Sequence, residues 1–326
     1  MFSNIFRKIC ASVVATVMVG SVAVLQSCSK NDKEEPEAPK QGLEIRFVYD
    51  SSAETAKPDC LTLFVYNETN GYVKTVTETS SALNGENYTM PVDLPEGKYQ
   101  LIAWGGVTCS NADFSVVTTP AAGSIISGLQ VEMKDNCKNA NPGVNLHPLF
   151  YGGLTVEVPA ESDKYTSATI SMMNDVNNIR VNLQNENKKA ISVDDFIFEI
   201  VDDNTLLNYQ NGIIPQTPVT YNPYATGQSV SNDIPVAYAD FSTSRLIVGG
   251  NCVLSVKKKV NSQVVLSIPV VDYLLYGKGE NSSMTDQNYI DQQNQWSITL
   301  YIQESFWVNT HVKINDWEFR LNDAKL

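Results

Sequence analysis

The stretch YTMPVDLPEGKYQLIAWGG, residues 88–106, shows the pattern that decides the fold. Two apolar runs flank the turn Pro95-Glu96-Gly97, and Tyr99, Leu101 and Ala103 of the second run face one way. Apolar residues at a spacing of two are the signature of a strand that buries one of its faces. The stretch therefore predicts strands separated by a tight turn.

The same spacing recurs on both sides of this stretch. Upstream, every second residue from Leu43 to Tyr49 is apolar, with Glu44 and Arg46 on the opposite face. Downstream, it returns at residues 179–184 and again at residues 296–302. No helical pattern is longer than about two turns. Many short strands separated by turns predict an all-β protein built of β-sandwiches.

One long stretch breaks the pattern. Residues 210–240 are rich in Pro, Asn and Tyr and show weak periodicity, so we expect a long loop with one or two short strands. Two interpretations remain open for its tyrosines. In one, their rings form a sugar-binding platform; in the other, the rings pack the loop onto the second sandwich. The tyrosines in question are Tyr209, Tyr221, Tyr224 and Tyr238.

Charge and motifs exclude several classes of function. The 326 residues include 36 acidic and 23 basic ones, for a net charge of −13, which argues against nucleic acid as a partner. The histidines are His147 and His311 alone, and no CxxC pair or known catalytic motif is present. We therefore expect no catalytic residue, no metal site, no cofactor and no enzyme activity.

Two pairs of adjacent carboxylates are candidates for acid–base chemistry. They are Asp194-Asp195 and Asp202-Asp203. Glycoside hydrolysis needs two carboxylates that face each other across a cleft. Neighbouring residues of a strand point to opposite faces, so we interpret both pairs as solvated turns.

The N-terminus has the pattern of an export signal. Arg7 and Lys8 are the only charges before residue 28, and the apolar or small run Ile9–Leu25 follows them. Leu25-Gln26-Ser27-Cys28 then resembles a lipobox, which predicts a lipoprotein signal peptide at 1–27 and lipid attachment at Cys28. The alternative is an ordinary signal peptide or signal anchor with an incidental cysteine.

A charged segment follows the cysteine. Residues 28–42 carry two prolines and many charges, with no aromatic residue after the cysteine, which predicts a lipidated flexible tether. Lys33-Glu34-Glu35 resembles the acidic export tag of surface lipoproteins in Bacteroidetes-type cells. The alternative is that these charges are no export signal, because any solvated tether is charged.

The mature chain keeps four cysteines besides Cys28. In an exported protein they are permitted to form disulfides, although the sequence does not specify the connectivity. Our candidate disulfide is Cys109–Cys137. Cys60 and Cys252 are interpreted as small buried hydrophobic residues.

Several stretches, taken together and in order, resemble the FimB/Mfa-type anchor family of type V fimbriae. They are the lipobox, LEIRFVYD (43–50), CLTLFVYNETNGYVKT (60–75), DLPEGKYQLIAWGG (93–106), LFYGG (149–153), NNIRVNLQ (177–184), MTDQNYIDQQNQWSITLYI (284–302) and HVKINDWEFRLND (311–323). The resemblance implies two tandem transthyretin-like (Greek-key) β-sandwiches, which we place at 43–162 and 163–326.

The resemblance also implies a function. It is that of a cell-surface lipoprotein, held in the outer membrane by acyl chains on Cys28, that anchors a fimbrial shaft and limits its length. Shaft subunits of this kind join by β-strand addition after proteolysis removes their leading strand. An anchor would keep its own first strand, Leu43 to Tyr49. The alternatives are an accessory or tip subunit, a glycan-binding surface lipoprotein and, least favoured, a secreted hydrolase.

Overall fold

The computed structural model describes residues 41–49, 57–85, 87–160, 164–231, 233–279, 282–303 and 306–320. Strands dominate these residues, so the all-β, β-sandwich fold class is confirmed. The predicted signal peptide, Cys28 and the tether up to residue 40 lie outside the described residues. From Pro39 onward the chain forms one compact unit.

The described part of the chain contains twenty strands and two short helices. The strands are β1 Gly42–Tyr49, β2 Leu61–Asn67, β3 Tyr72–Glu78, β4 Thr89–Asp93, β5 Gly97–Gly105, β6 Phe114–Val116, β7 Gln130–Met133, β8 Phe150–Val158, β9 Tyr165–Asn174, β10 Asn177–Asn185, β11 Phe196–Asp202, β12 Leu206–Asn208, β13 Val219–Tyr221, β14 Ala225–Ser231, β15 Ile234–Thr243, β16 Val253–Lys258, β17 Val264–Pro269, β18 Gln295–Gln303, β19 Phe306–Ile314 and β20 Trp317–Arg320. The helices are α1 Val270–Leu275 and α2 Asp286–Asp291.

The first sandwich is one seven-stranded sheet in the order β3-β2-β5-β8-β9-β1-β4. It folds on itself where β8 meets β9, a contact of only two residue pairs. Side chains from both halves then pack into one core, as the alternation in β1 and β5 predicted. Its central members are Leu43, Ile45, Leu63, Leu101 and Phe150, all fully buried.

The boundary between the two halves of the chain differs from the predicted one at 162/163. Strand β9 lies in the first sheet, where it pairs with β1, so this sheet ends at Asn174. The second sandwich begins with β10 at Asn177. The pattern of β9 resembles that of β10, and only the pairing of the strands reveals which sheet each one joins.

The second sandwich packs a six-stranded sheet against a four-stranded one. Their orders are β14-β15-β10-β18-β19-β20 and β13-β11-β16-β17, and a small third sheet has the order β12-β7-β6. The core between them includes Val181, Phe241 and Ile298. It continues onto the outer face of the first sheet, where Phe64 and Trp104 belong to the same cluster.

The expected long loop at residues 210–240 contains much more strand than predicted. It holds β13, β14 and most of β15, and β15 is an interior strand of the six-stranded sheet. The alternation is weak because β15 is covered on both faces. Ala237, Ala239 and Phe241 are buried on one face, and Asp240 and Ser242 are buried on the other.

Candidate functional site

The first strand lies inside its own sandwich, as the sequence predicted. Strand β1 pairs in parallel with β9 over eight residue pairs and antiparallel with β4 over five. Leu43 and Ile45 are fully buried, while Glu44 and Arg46 point to solvent. The groove between β4 and β9 is therefore filled by the chain itself.

The entry to β1 requires a glycine. Gly42 has φ +148°, and a Cβ there would lie 2.1 Å from the carbonyl oxygen of Val92. The preceding residue is held as well, since Leu94 N donates to Gln41 O at 3.2 Å and Gln41 Nε2 donates to Pro159 O at 3.0 Å. The described chain is thus fixed to the sandwich from residue 41, so the last two residues of the predicted tether at 28–42 belong to the sandwich instead.

The disulfide joins Cys60 to Cys109, so the predicted Cys109–Cys137 pair is wrong. Cys60 precedes β2, whose first residue, Leu61, pairs with Gly105 at the end of β5. This pairing brings the segment that leaves β5, which carries Cys109, back beside Cys60. The interpretation of Cys60 as a small hydrophobic residue fails for the same reason.

The two remaining cysteines of the described chain are buried and unpaired with each other. The thiol of Cys137 donates to Asp113 Oδ1 at 3.4 Å, and burial, with the nearby Asp113 carboxylate, raises the pKa of this thiol to about 12. A thiol with so high a pKa stays protonated and is a poor nucleophile. The prediction that Cys252 is a buried hydrophobic-like residue is confirmed by its burial.

The strand β8 carries the contact between the two sandwiches, in the motif Phe150-Tyr151-Gly152-Gly153. Phe150 points into the first core, whereas the ring of Tyr151 packs edge-on against Trp104 at a centroid distance of 5.0 Å. The Tyr151 hydroxyl donates to the carbonyl of Tyr209 at 3.0 Å.

The two glycines make this arrangement sterically feasible. A Cβ on Gly152 would lie 2.5 Å from Ile170 Cγ2, so the close approach of β9 needs a glycine here. A Cβ on Gly153 would lie 2.9 Å from the Tyr151 hydroxyl. Paired glycines within a strand often mark close approach of another backbone or side chain, and this is the signal by which the junction could have been found from sequence.

A buried polar network follows directly after β9. The fully buried Asp175 accepts from Asn211 Nδ2 at 2.8 Å, and its Oδ1 lies 3.8 Å from Arg245 Nε. Arg245 also pairs with Asp291 at 2.8 Å and donates to the carbonyl of Asn211. Asp175 lies at the point where the chain leaves the first sheet. Its partners belong to the second sandwich and to helix α2, so the network joins the two sandwiches.

Burial raises the pKa of Asp175 to about 7, because the desolvation of the carboxylate outweighs its attraction to Arg245. One guanidinium faces two carboxyl groups here, and the closer ion pair is the one with Asp291. The sequence does not reveal this network, because isolated Asp, Asn and Arg residues in loops carry no pattern.

The paired carboxylates do not meet across a cleft. Asp194 and Asp195 lie exposed at a turn, as predicted. Asp202 is buried, which corrects its interpretation as part of a solvated turn, and burial raises its pKa to about 6. Among the residues that the structure describes, no group of three His, Cys, Asp or Glu side chains is arranged to hold a metal ion.

The tyrosines of residues 209–238 mostly pack. Tyr221 is buried and donates from its hydroxyl to Asn204 Oδ1 at 2.6 Å. The guanidinium of Arg180 lies 4.5 Å from the centre of the Tyr238 ring and covers it. Tyr209 packs against the second core. These positions favour the packing interpretation over a stacking platform for sugars.

No helix within the described ranges is long and apolar enough to cross a membrane.

Comparison with protein families gives a match along almost the entire chain. The family described as fimbrillin-A associated anchor proteins Mfa1 and Mfa2 matches residues 32–323. A search of curated proteins finds no match.

Solved structures with the same fold come from Bacteroides and Porphyromonas species. A candidate adhesin from Bacteroides thetaiotaomicron is 38% identical, with a TM-score of 0.80 over 88% of this chain and 100% of that one. A candidate polysaccharide-binding protein from the same organism is 25% identical, with a TM-score of 0.75 over 86% and 98%. The fimbrial anchor protein Mfa2 of Porphyromonas gingivalis shares the fold at 15% identity, with a TM-score of 0.66 over 86% and 100%.

Proposed function

The chain belongs to the family of fimbrillin-A associated anchor proteins, and on that premise we propose that it is a lipid-anchored subunit at the base of a fimbria. Acyl chains on Cys28 hold it in the outer membrane at the cell surface, and the segment before residue 41 gives it reach. Its two sandwiches connect the lipid to a fimbrial shaft and limit the length of that shaft. In this proposal the protein is not an enzyme and uses no cofactor.

The position of β1 is the observation that carries the proposal. A subunit that receives a strand from a neighbour needs an open groove, whereas here the groove between β4 and β9 holds β1. A chain with a filled first sandwich and a lipid at its N-terminus has no place for a further subunit on the membrane side. Such a chain terminates assembly, which is the property that limits length.

The shaft partner would bind by β-strand addition at a sheet edge. The six-stranded sheet ends at β20, and Trp317 on this strand is 67% exposed. Edge strands offer unpaired backbone groups, and exposed tryptophans are frequent anchors of protein interfaces. By contrast, the edge strand β4 of the first sheet contains Pro91, which removes one backbone donor.

Deletion and point mutation in the native organism test the proposal. Cys28→Ala should abolish lipid labelling of the protein and release fimbriae into the medium, while Cys252→Ser, a buried thiol, should leave both unchanged. Electron microscopy of cells that lack the gene should show long, detached fimbriae. Retention of normal fimbriae on Cys28→Ala cells would contradict the anchoring role, and unchanged lengths in the deletion would contradict the length limit.

Glycan binding at the cell surface is the second candidate, because a candidate polysaccharide-binding protein is 25% identical over 86% of the chain. The outer face of the six-stranded sheet has a basin of about 400 Å³ lined by Asn182, Ser297, Thr299 and Lys313. Hydroxyl and amide groups of this kind suit the hydroxyl groups of a sugar. A glycan array with the ectodomain tests this candidate, and Asn182→Ala with Thr299→Ala should abolish any signal.

A further inference from the structure

The chain enters and leaves the first sandwich at opposite ends of a single ladder. Strand β1 begins at Gly42, opposite Tyr165, and the register continues pair by pair to Tyr49 and Met172. Strand β9 then ends at Asn174 and leads into the second sandwich. The eight pairs span roughly 26 Å at about 3.3 Å per residue.

We propose that β1 and β9 form a mechanical clamp that resists tension between the membrane tether and the rest of the protein. The inference rests on the proposed function, which places the lipid at one end of the chain and the shaft at the other. Tension then pulls β1 toward its N-terminus and β9 toward its C-terminus. The two strands are parallel, so these forces act in opposite directions along the ladder and load it in shear.

Shear loading differs from peeling in how many bonds resist at once. When two strands are pulled apart from the same end, the hydrogen bonds break one pair after another, and each contributes little alone. When they are drawn past each other, all eight pairs bear the force together. The parallel geometry therefore gives the ladder a high resistance to force, although each of its hydrogen bonds is weak.

The side chains of β1 add a second barrier to sliding. A shift by one residue would turn the fully buried Leu43 and Ile45 toward solvent and bring Glu44 and Arg46 into the core. The five pairs between β1 and β4 would break in the same step. Sliding therefore has no intermediate that keeps the core intact.

The remaining strands of the first sandwich lie outside the path of the force. Strand β9 meets β8 in only two pairs, at its C-terminal end. The force passes from β1 through the ladder to β9 and on to β10, whose start is held by the buried Asp175 network. The second sandwich repeats the arrangement, because its first strand, β10, pairs in parallel with β18 over eight pairs.

Single-molecule force spectroscopy on the intact ectodomain tests the clamp. One handle takes the place of the acyl chains at the tether, and the second is attached to a cysteine introduced by Lys189→Cys. Lys189 is exposed just beyond the end of β10, so the pull reaches β1 and β9 in shear. Native cysteines do not compete, since Cys60 and Cys109 are bonded and Cys137 and Cys252 are buried.

The matched control changes only the direction of loading. Lys164→Cys places the second handle at an exposed residue directly before β9, at the same end of the ladder as Gly42. The pull then peels the same pairs one by one. We expect a rupture force several-fold higher for the Lys189 handle than for the Lys164 handle, and equal forces would overturn the proposal.

The disulfide identifies which sandwich has ruptured. Cys60 and Cys109 are 49 residues apart, so a reductant should lengthen the extension of the first sandwich by about 3.6 Å for each enclosed residue. A high-force event without this lengthening would belong to the second sandwich and would also overturn the clamp. Because the measurement uses purified protein, its failure is distinguishable from failure of anchoring in cells.

Discussion

The hydroxyl of Tyr151 donates a hydrogen bond of 3.0 Å to the main-chain carbonyl of Tyr209, which connects the first sandwich to the turn after β12. The ring of Tyr151 also packs against Trp104, and Gly153 leaves room for the Tyr151 hydroxyl. One side chain thus contacts a neighbouring strand of its own sheet through its ring and the later half of the chain through its hydroxyl.

Removal of the Tyr151 hydroxyl should weaken the junction. We expect Tyr151→Phe to lower the free energy of unfolding by about 0.5–1.5 kcal/mol, because a half-buried carbonyl loses its donor while the ring packing is kept. Urea unfolding measures the change. Tyr165→Phe is the matched control, since the hydroxyl of Tyr165 bonds to Asp93 at the exposed surface. Equal effects of the two variants would contradict a special role for Tyr151.

A methyl group at Gly152 should disturb the corner between β8 and β9. The added Cβ would meet Ile170 Cγ2 at 2.5 Å and the carbonyl of Ser171 at 2.6 Å. We expect Gly152→Ala to cost about 1–3 kcal/mol in thermal or urea unfolding, as overpacking does elsewhere. Gly128→Ala is the control, because nothing lies within 4 Å of a Cβ there. A neutral Gly152→Ala would mean that the corner tolerates a wider spacing.

The contribution of Asp175 to stability should fall as the pH rises from about 4 to about 7. Its folded pKa of about 7 is above the ordinary value of about 4. The folded state therefore binds this proton more tightly, and the contribution is complete below pH ~4 and lost as the pH passes ~7.

Asp175→Asn tests this assignment, because an amide of the same shape cannot ionise. We expect the variant to be more stable than the wild type at pH 8, by on the order of 1–4 kcal/mol, with the difference much reduced at pH 5. Urea unfolding at the two pH values measures it, and Asp316→Asn at an exposed turn is the control. A loss of stability of the same size at both pH values would show that Asp175 is ionised and needed as an ion-pair partner of Arg245.

Arg46 should resist proteolysis in the folded ectodomain. Its side chain is exposed, but its backbone lies in an interior strand that is paired on both sides. A protease therefore cannot bind this segment in the extended form that its active site requires. We expect trypsin to cut at Lys188 and Lys189, in the exposed turn after β10, well before any cut at Arg46. Rapid cleavage after Arg46, with loss of β1 and gain of polymerisation, would identify a shaft or tip subunit.

Peptide mapping without reductant should recover Cys60 linked to Cys109, with Cys137 and Cys252 as free thiols after denaturation. Replacing both bonded cysteines by serine should cost about 2–4 kcal/mol in unfolding free energy, because the cross-link restricts the unfolded chain. Cys137→Ala removes a buried thiol without a cross-link and serves as the comparison. Recovery of a Cys109–Cys137 peptide would contradict the structure.

The sequence by itself determined the strands that bury one face. The alternation of Leu43 to Tyr49 and of residues 179–184 predicts β1 and β10, because exposing either set of apolar side chains to water is costly. The signal peptide, Cys28 and the tether were also inferred from local pattern alone, and they lie outside the described residues. A local pattern is enough to predict a strand wherever the physical requirement, the burial of one apolar face, is met within a single segment.

Only the tertiary structure decided which segments become neighbours. The parallel pairing of β1 with β9, the bond between Cys60 and Cys109 and the network around Asp175 all join residues far apart in sequence. Strand β15 was missed because burial on both faces removes the alternation on which the prediction depends. Pairing and burial of this kind follow from the packing of the whole chain, which minimises exposed apolar surface and unpaired buried polar groups together. They therefore cannot be predicted from any single segment.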